Sequence, residues 1–491
     1  MQQDTSTNNQ VKPCPYRHFI PLLSVVAALS IAAWLGWFLA GHHDTHADHA
    51  SKMPQLWLVG ILPFIAILGA IAVLPLLNST RHWWEHNSNR FFVAMMCSLA
   101  TIVYMVFTSG SESIGPMLDH SIMQDFIPFI VLLFSLYVIS GGIYLSGDLA
   151  ASPKVNTTFL AIGAGIASFI GTTGASMLLI RPLLKTNSQR KHKIHTIVMF
   201  IFLVSNIGGT LLPIGDPPLF LGYLRGVPFL WTLELWPMWA TACGVLLVVY
   251  YIWDTILSKK ETASDLLRDV TQQQPLRLQG SVNFIWIGGI VAAAALVDTH
   301  KPLIGTDWTP FVFCRELIML FFVVLSLKTT SALIHKANNF TYAAILEVAA
   351  LFSGIFIAMQ IPLAILEASG KSITATMNQP WHFFWATGSL SSFLDNAPTY
   401  VVFFKLSQSL PEGELMQVNN GSVPILLLIA ISLGSVFMGA MTYIGNGPNF
   451  MVKAIAEQEG VEMPSFFGYM FKYSIPILVP IFVIITIFFL L

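Results

Sequence analysis

The stretch Ser205-Asn206-Ile207-Gly208-Gly209-Thr210-Leu211-Leu212-Pro213-Ile214-Gly215-Asp216-Pro217-Pro218-Leu219-Phe220 lies between apolar runs, inside what reads as a membrane span, and it cannot form one continuous helix. Each proline removes a backbone donor, and its ring clashes with the carbonyl one turn back. In hydrocarbon the freed backbone groups must be satisfied by protein or by a water-lined cavity. A charged Asp216 at the same depth adds a cost on the order of 3 kcal/mol by insertion scales. An interruption this costly marks a site, and the rest of the chain is read around it.

That the surroundings are membrane follows from composition. Of 491 residues, 55% are hydrophobic and 10% charged, and the mean hydropathy is +0.69, the profile of a polytopic membrane protein. No basic cluster is large enough to suggest a nucleic-acid partner. The cysteines, Cys14, Cys97, Cys243 and Cys314, lie far apart with neither metal nor redox spacing. There is no phosphate-binding G-x-x-x-x-G-K-[ST], no H-E-x-x-H and no G-x-S-x-G, so neither an ATPase nor an intramembrane hydrolase is expected.

Residues 1–54 hold a polar tail, an apolar run from His18 to Ala40 and a His/Asp-rich loop. The run is too long for the core of a typical signal peptide and reads as an uncleaved extra helix. His42, His43, His46 and His49 are candidate ligands for Zn or Ni, set against a simple solvated loop. Residues 55–257 carry apolar spans at about 55–77, 91–108, 127–146, 195–225 (broken) and 236–257. Between the third and fourth, 157–184 reads as a helical hairpin turning at Gly171-Thr172-Thr173-Gly174. A polar linker follows at 258–280, with a short surface helix expected over 264–271. Residues 281–491 repeat the order, with spans at about 281–298, 310–327, 341–367, 423–456 (broken) and 470–491. A second hairpin runs over 382–406 and turns at Asp395-Asn396-Ala397-Pro398-Thr399.

The two halves also share local sequence. Ile214-Gly215-Asp216-Pro217-Pro218-Leu219-Phe220 matches Ile444-Gly445-Asn446-Gly447-Pro448-Asn449-Phe450, and Ser168-Phe169-Ile170 matches Ser392-Phe393-Leu394. Matches in the same order, with equal span counts, indicate duplication. Five crossings per half is odd, so the second half is expected to be inverted. With the N-terminus inside, most Lys and Arg fall on the inner loops, as the positive-inside rule requires. The expected fold is an all-α polytopic membrane protein. It has two inverted repeats, each with five spans, one of them broken, and a re-entrant hairpin, plus an extra N-terminal helix. This is the architecture of secondary transporters, whose sites lie at the junction of broken helices.

At these residues the chain resembles the ion transporter superfamily, in its citrate-transporter-like group. Ser205-Asn206-Ile207-Gly208-Gly209-Thr210 followed by Ile214-Gly215-Asp216-Pro217-Pro218 is most similar to the NhaD-type sodium/proton antiporters. The resemblance covers roughly residues 55–491. It implies a scaffold and a moving part in each half, the moving part holding the hairpin and the broken helix, and it implies a homodimer. Carboxylate transporters of this superfamily carry Ser-Asn-Thr-type hairpin tips. Here the first tip lacks the Asn and the second begins with an acid, which speaks against a di- or tricarboxylate.

A hard cation such as Na⁺ takes oxygen ligands. Asp216, Asn206, Asp395, Asn396, Thr399, Thr172, Thr173 and Asn446 supply them, with Asp216 and Asp395 expected to converge from opposite repeats. Desolvation favours a protonated acid and a bound cation favours the carboxylate, so one group can exchange H⁺ for Na⁺. Two further readings of these residues are capping of the second hairpin helix by Asn396 and Thr399, and satisfaction of backbone by Asn446. Glu347 is a possible proton carrier, or part of a structural ion-pair cluster with Arg315 and Glu316. Arg181 is expected to reach toward the inner surface. The function expected is Na⁺(Li⁺)/H⁺ antiport in a bacterial inner membrane, with no cofactor and Na⁺ as cargo. The alternative is Na⁺- or H⁺-coupled transport of an organic anion, such as citrate or a dicarboxylate, or of an oxyanion such as arsenite.

Overall fold

The computed structural model describes residues 56–75, 77, 79–261, 274–297, 302, 307–374, 377–410 and 413–491. The first apolar run, His42, His43, His46, His49 and the surface helix expected over 264–271 lie outside the described residues.

In chain order the main elements are α1 (Trp57–Val73), α2 (Asn87–Ser109) and α3 (Ser111–Gly141), then strand β1 (Tyr144–Asp148). Next come α4 (Pro153–Ile170), α5 (Thr172–Thr186), α6 (Ile194–Leu203), α7 (Pro217–Leu224), α8 (Phe229–Ser258) and strand β2 (Gln274–Gln279). They are followed by α9 (Val282–Leu296), α10 (Cys314–Thr329), α11 (Ala343–Ala368), α12 (Pro380–Phe393) and α13 (Asn396–Ser407). Strands β3 (Leu415–Val418) and β4 (Gly421–Pro424), then α14 (Ile425–Met438), α15 (Gly447–Gln458) and α16 (Phe466–Leu490), complete the chain. Six segments among the described residues are long and apolar enough to cross a membrane: α2, α3, Ile194–Leu211, α8, α11 and α16. With α1, α9 and Ile425–Met441 as shorter apolar helices, this is a multi-pass membrane protein.

Burial separates a centre from a rim. The most apolar window of Ile194–Leu211 is 89% buried within the protein, whereas those of α2 and α8 are 28% buried. The interrupted segment therefore sits at the core, and α2 and α8 lie at the rim with most of their surface facing outward. Close backbone approach makes the core possible. A Cβ added at Gly434 of α14 would lie 2.6 Å from the carbonyl oxygen of Phe384 on α12. Small residues at such crossings are the usual device where packing, rather than water, drives helix association.

Local sequence explains where the central elements start and stop. Ser152 caps α4 by accepting from the Val155 N–H, and Pro153 supplies the preset first turn. Gly171, at φ +78°, makes the left-handed turn between α4 and α5 that a side chain would disfavour. Asp395 starts α13 by accepting from the Ala397 N–H. After α6 the chain passes through one tight turn, Ile207–Leu211, and an irregular stretch before Pro217 opens α7. After α14 it passes through Gly439–Met441 before Gly447 opens α15. Each half thus contains a helix pair followed by an interrupted helix.

Three features depart from expectation. The end of the polar linker pairs as a strand, β2 running antiparallel to β1, where no strand was expected. The third span begins far earlier than 127, because the polar Asp119–Phe126 continues as a π-helical turn within α3. The expected Arg315, Glu316 and Glu347 cluster is split. Arg315 pairs with Glu316 at 2.6 Å, while Glu347 pairs with Arg90 at 3.0 Å on α2. Arg90 went unnoticed because its partner lies on α11, some 250 residues away along the chain. Arg181 is half-buried, and its Nε has no hydrogen-bond partner.

Candidate functional site

The two interruptions free carbonyls that serines on the neighbouring helix pair satisfy. Ser168 of α4 donates to the Gly208 carbonyl at 2.6 Å and accepts from the Leu211 N–H at 2.9 Å. Ser391 of α12 donates to the Ser435 carbonyl at 2.7 Å, and Ser392 donates to that of Met438 at 3.2 Å. Each hairpin's first helix therefore props open the break beside it.

Asp216, 1% exposed, stands where the breaks meet. Its Oδ1 accepts from the Thr172 hydroxyl and from Asn446 Nδ2, both at 2.9 Å, and its Oδ2 accepts from Asn396 Nδ2 at 2.6 Å. Thr172 is the first residue of α5 and Asn396 the first of α13; Asp216 and Asn446 immediately precede α7 and α15. Four helix N-termini thus converge on one carboxylate. Each carries roughly half a positive charge in its unpaired N–H groups, so the junction favours an anion. The chain supplies that anion itself, with neutral partners only: no Lys, Arg or His among the described residues contacts Asp216.

The remaining polar groups form a second layer. Asn446 Nδ2 also lies 3.2 Å from Asn206 Oδ1 and 3.1 Å from the Ser205 carbonyl. Asn206 Nδ2 donates to Asn449 Oδ1 at 2.7 Å and to the Ile201 carbonyl at 2.8 Å. Asn449 Nδ2 donates to the Gly439 and Thr442 carbonyls at 2.8 and 2.9 Å, spanning the second break. The Ser176 and Ser205 hydroxyls share a hydrogen bond of 2.8 Å. Asn396 Oδ1, fully buried, has no partner.

Of the residues singled out from sequence, Asp216, Thr172, Asn396, Asn446 and Asn206 form one connected network. Asp395 reaches it differently from expectation. Its hydrogen bond goes to its own helix start, and Asn396 makes the contact across the junction. The cap on α13 is therefore Asp395, not Asn396. Thr399 bonds back to the Asp395 carbonyl at 3.1 Å, and the hydroxyl on Asp216 is that of Thr172, not Thr173. Glu347 lies elsewhere, paired with Arg90. Sequence reasoning missed Asn449 as a site residue, although an asparagine in the first turn of an apolar half-helix was a usable signal. It also missed Ser205 and Ser176.

Residues 51–490 match the family model described as "Putative citrate transport". No curated protein matches the chain.

Proposed function

The chain belongs to this citrate-transport family, and on that premise we propose that it is a secondary active transporter whose Asp216 cluster holds the coupling cation, in a Na⁺(Li⁺)/H⁺ antiport cycle. One observation carries the proposal: a fully desolvated carboxylate with three neutral donors and no cationic partner among the described residues. Such a group has no cationic side chain paired with it, so a proton and a cation can compete for it, and that competition is the chemistry of exchange. Turning the Asn396 and Asn446 amides by 180° would present oxygens to that cation in place of N–H groups, and Asn206 Oδ1 is already one bond away. A hard cation takes such a donor set.

The reading treats residues 55–257 and 281–491, joined by the 258–280 linker, as inverted repeats. In support, each half has a helix pair and then an interrupted helix. Asp216 and Asn446, at matching motif positions, are bonded to each other. It further takes the hairpins and interrupted helices as the moving part, the N-terminus as cytoplasmic, the location as a bacterial inner membrane and the assembly as a homodimer.

The family's description favours a second reading, cation-coupled uptake of citrate, a dicarboxylate or an oxyanion such as arsenite. One experiment separates the two. The full chain in proteoliposomes is challenged with Na⁺, Li⁺, K⁺, citrate or succinate while internal pH and radiolabel uptake are recorded. Proton movement on adding Na⁺ or Li⁺, lost in Asp216→Asn, is expected. Accumulation of citrate or succinate without Na⁺-driven proton movement would overturn antiport in favour of the second reading.

A further inference from the structure

The far end of α7 carries a set of contacts that the site chemistry does not use. This helix has eight residues, a rigid rod about 12 Å long. Asp216 precedes its first residue and Arg225 follows its last. Arg225 Nη2 lies 2.9 Å from Asp125 Oδ2 on α3, and the Asp125 side chain is 5% exposed. Asp125 belongs to the π-helical turn Asp119–Phe126, a local distortion that often accompanies function. Two residues before Arg225, the Tyr223 hydroxyl donates to the Ala294 carbonyl of α9 at 2.6 Å. It also accepts from Arg315 Nη1 of α10 at 3.3 Å, and Arg315 lies over the Tyr223 ring. A third contact runs another way. Asn419, in the β3–β4 turn between α13 and α14, donates from its backbone N–H to the Arg225 carbonyl and from its side chain to that of Leu224, at 3.0 and 3.1 Å.

These contacts fall into two groups. Asn419 joins α7 to the second hairpin and second interrupted helix, the elements that share the Asp216 junction. Arg225 and Tyr223 join α7 to α3, α9 and α10, which contribute nothing to that junction. We propose that the Arg225–Asp125 ion pair and the Tyr223–Ala294–Arg315 contact form a latch that fixes α7, and with it Asp216, against α3, α9 and α10, and that this latch opens in each transport cycle. The Asn419 contact stays closed and carries the two interrupted helices together. The proposal rests on the secondary-transporter reading above. The pair suits a reversible lock: buried charges hold well only while both partners are in place, and a single short helix links Arg225 to Asp216.

The test uses the full chain with its four native cysteines replaced by serine. Asp125→Cys with Arg225→Cys is bridged by a bismaleimide whose spacer contains a disulfide, and Asn419→Cys with Leu224→Cys serves as comparison. Bridging the first pair should cut transport in proteoliposomes at least tenfold, and reduction of the spacer should restore it; bridging the second should change it less than twofold. Activity before bridging reports that each variant is folded. Separately, Asp125→Asn should raise amide exchange over residues 219–225 at least tenfold, and the swap Asp125→Arg with Arg225→Asp should reverse most of that rise. Undiminished transport with the first pair bridged would overturn the latch while leaving the transporter reading intact. A wild-type chain that moves neither Na⁺, H⁺ nor any carboxylate would overturn the transporter reading and the latch with it.

Discussion

Asp216→Asn and Asp216→Ala should separate the chemistry of the junction from its architecture. In the asparagine variant, Oδ1 keeps the hydrogen bonds from Thr172 and Asn446. Its Nδ2 then meets Asn396 Nδ2, donor against donor, where Oδ2 now accepts at 2.6 Å. Asn396 can resolve this by turning its amide, because its Oδ1 has no partner to lose. The number of hydrogen bonds is then unchanged, and stability should move by no more than about 1 kcal/mol. In the alanine variant the Thr172 hydroxyl and Asn396 Nδ2 lose their acceptor, while Asn446 Nδ2 keeps the Ser205 carbonyl and Asn206 Oδ1. Each donor left unmet costs about 1–3 kcal/mol, so the loss approaches about 2–6 kcal/mol if nothing relaxes. Melting in detergent, followed by fluorescence-detected size exclusion, should therefore place Asp216→Asn near wild type and Asp216→Ala far below it. Na⁺-driven proton flux should be absent in both. Equal melting losses would refute the hydrogen-bond accounting, and wild-type flux in Asp216→Asn would refute the role of the carboxylate.

Four further outcomes are expected. Asp395→Ser retains a competent helix cap and should keep stability within a few tenths of a kcal/mol of wild type, while lowering Na⁺-coupled proton flux; improved succinate uptake instead would favour the anion reading. Half-maximal Na⁺ for proton flux should rise about tenfold for each pH unit below the range where the site is deprotonated, per proton displaced, so a flat profile from about pH 6 to 8.5 would oppose a shared site for H⁺ and Na⁺. Glu347→Gln should leave the pH profile of transport unmoved and lower thermal stability by loosening Arg90, whereas a displaced profile would make Glu347 a proton carrier. Asn449→Ala should raise half-maximal Na⁺ by about tenfold or more, equivalent to about 1.4 kcal/mol, because Asn206 loses the acceptor that orients it.

Much of the fold was legible because hydrocarbon leaves few options. A Pro/Gly-rich run with an acid inside an apolar segment had to be an interrupted helix, and Gly171 and Asp395 do turn the two helix pairs. At the junction, Asp216 and Asn446, which the repeat places at matching motif positions, are bonded to each other. Contacts between distant segments were not. Nothing local distinguishes Arg90, which finds Glu347, from a surface arginine, or Asp125, which finds Arg225. Likewise Asp395 and Asn396 are adjacent, and only backbone geometry decides that the acid turns to its own helix while the amide crosses to Asp216. The strand pairing of 144–148 with 274–279 depends on chain reversal that no short pattern announces.

The convergence of α5, α7, α13 and α15 on a single carboxylate bears on how carriers of opposite specificity are related. Four positive helix ends make a seat for an acid, and here the seat is occupied by a tenant tethered to the backbone. A free carboxylate arriving from solution must displace it or do without that field. Remove the tether, as in a glycine at position 216, and the same four ends surround a vacancy of carboxyl size. In a scaffold of this kind, one side chain decides whether the four helix ends face a resident acid or an open space of carboxyl size.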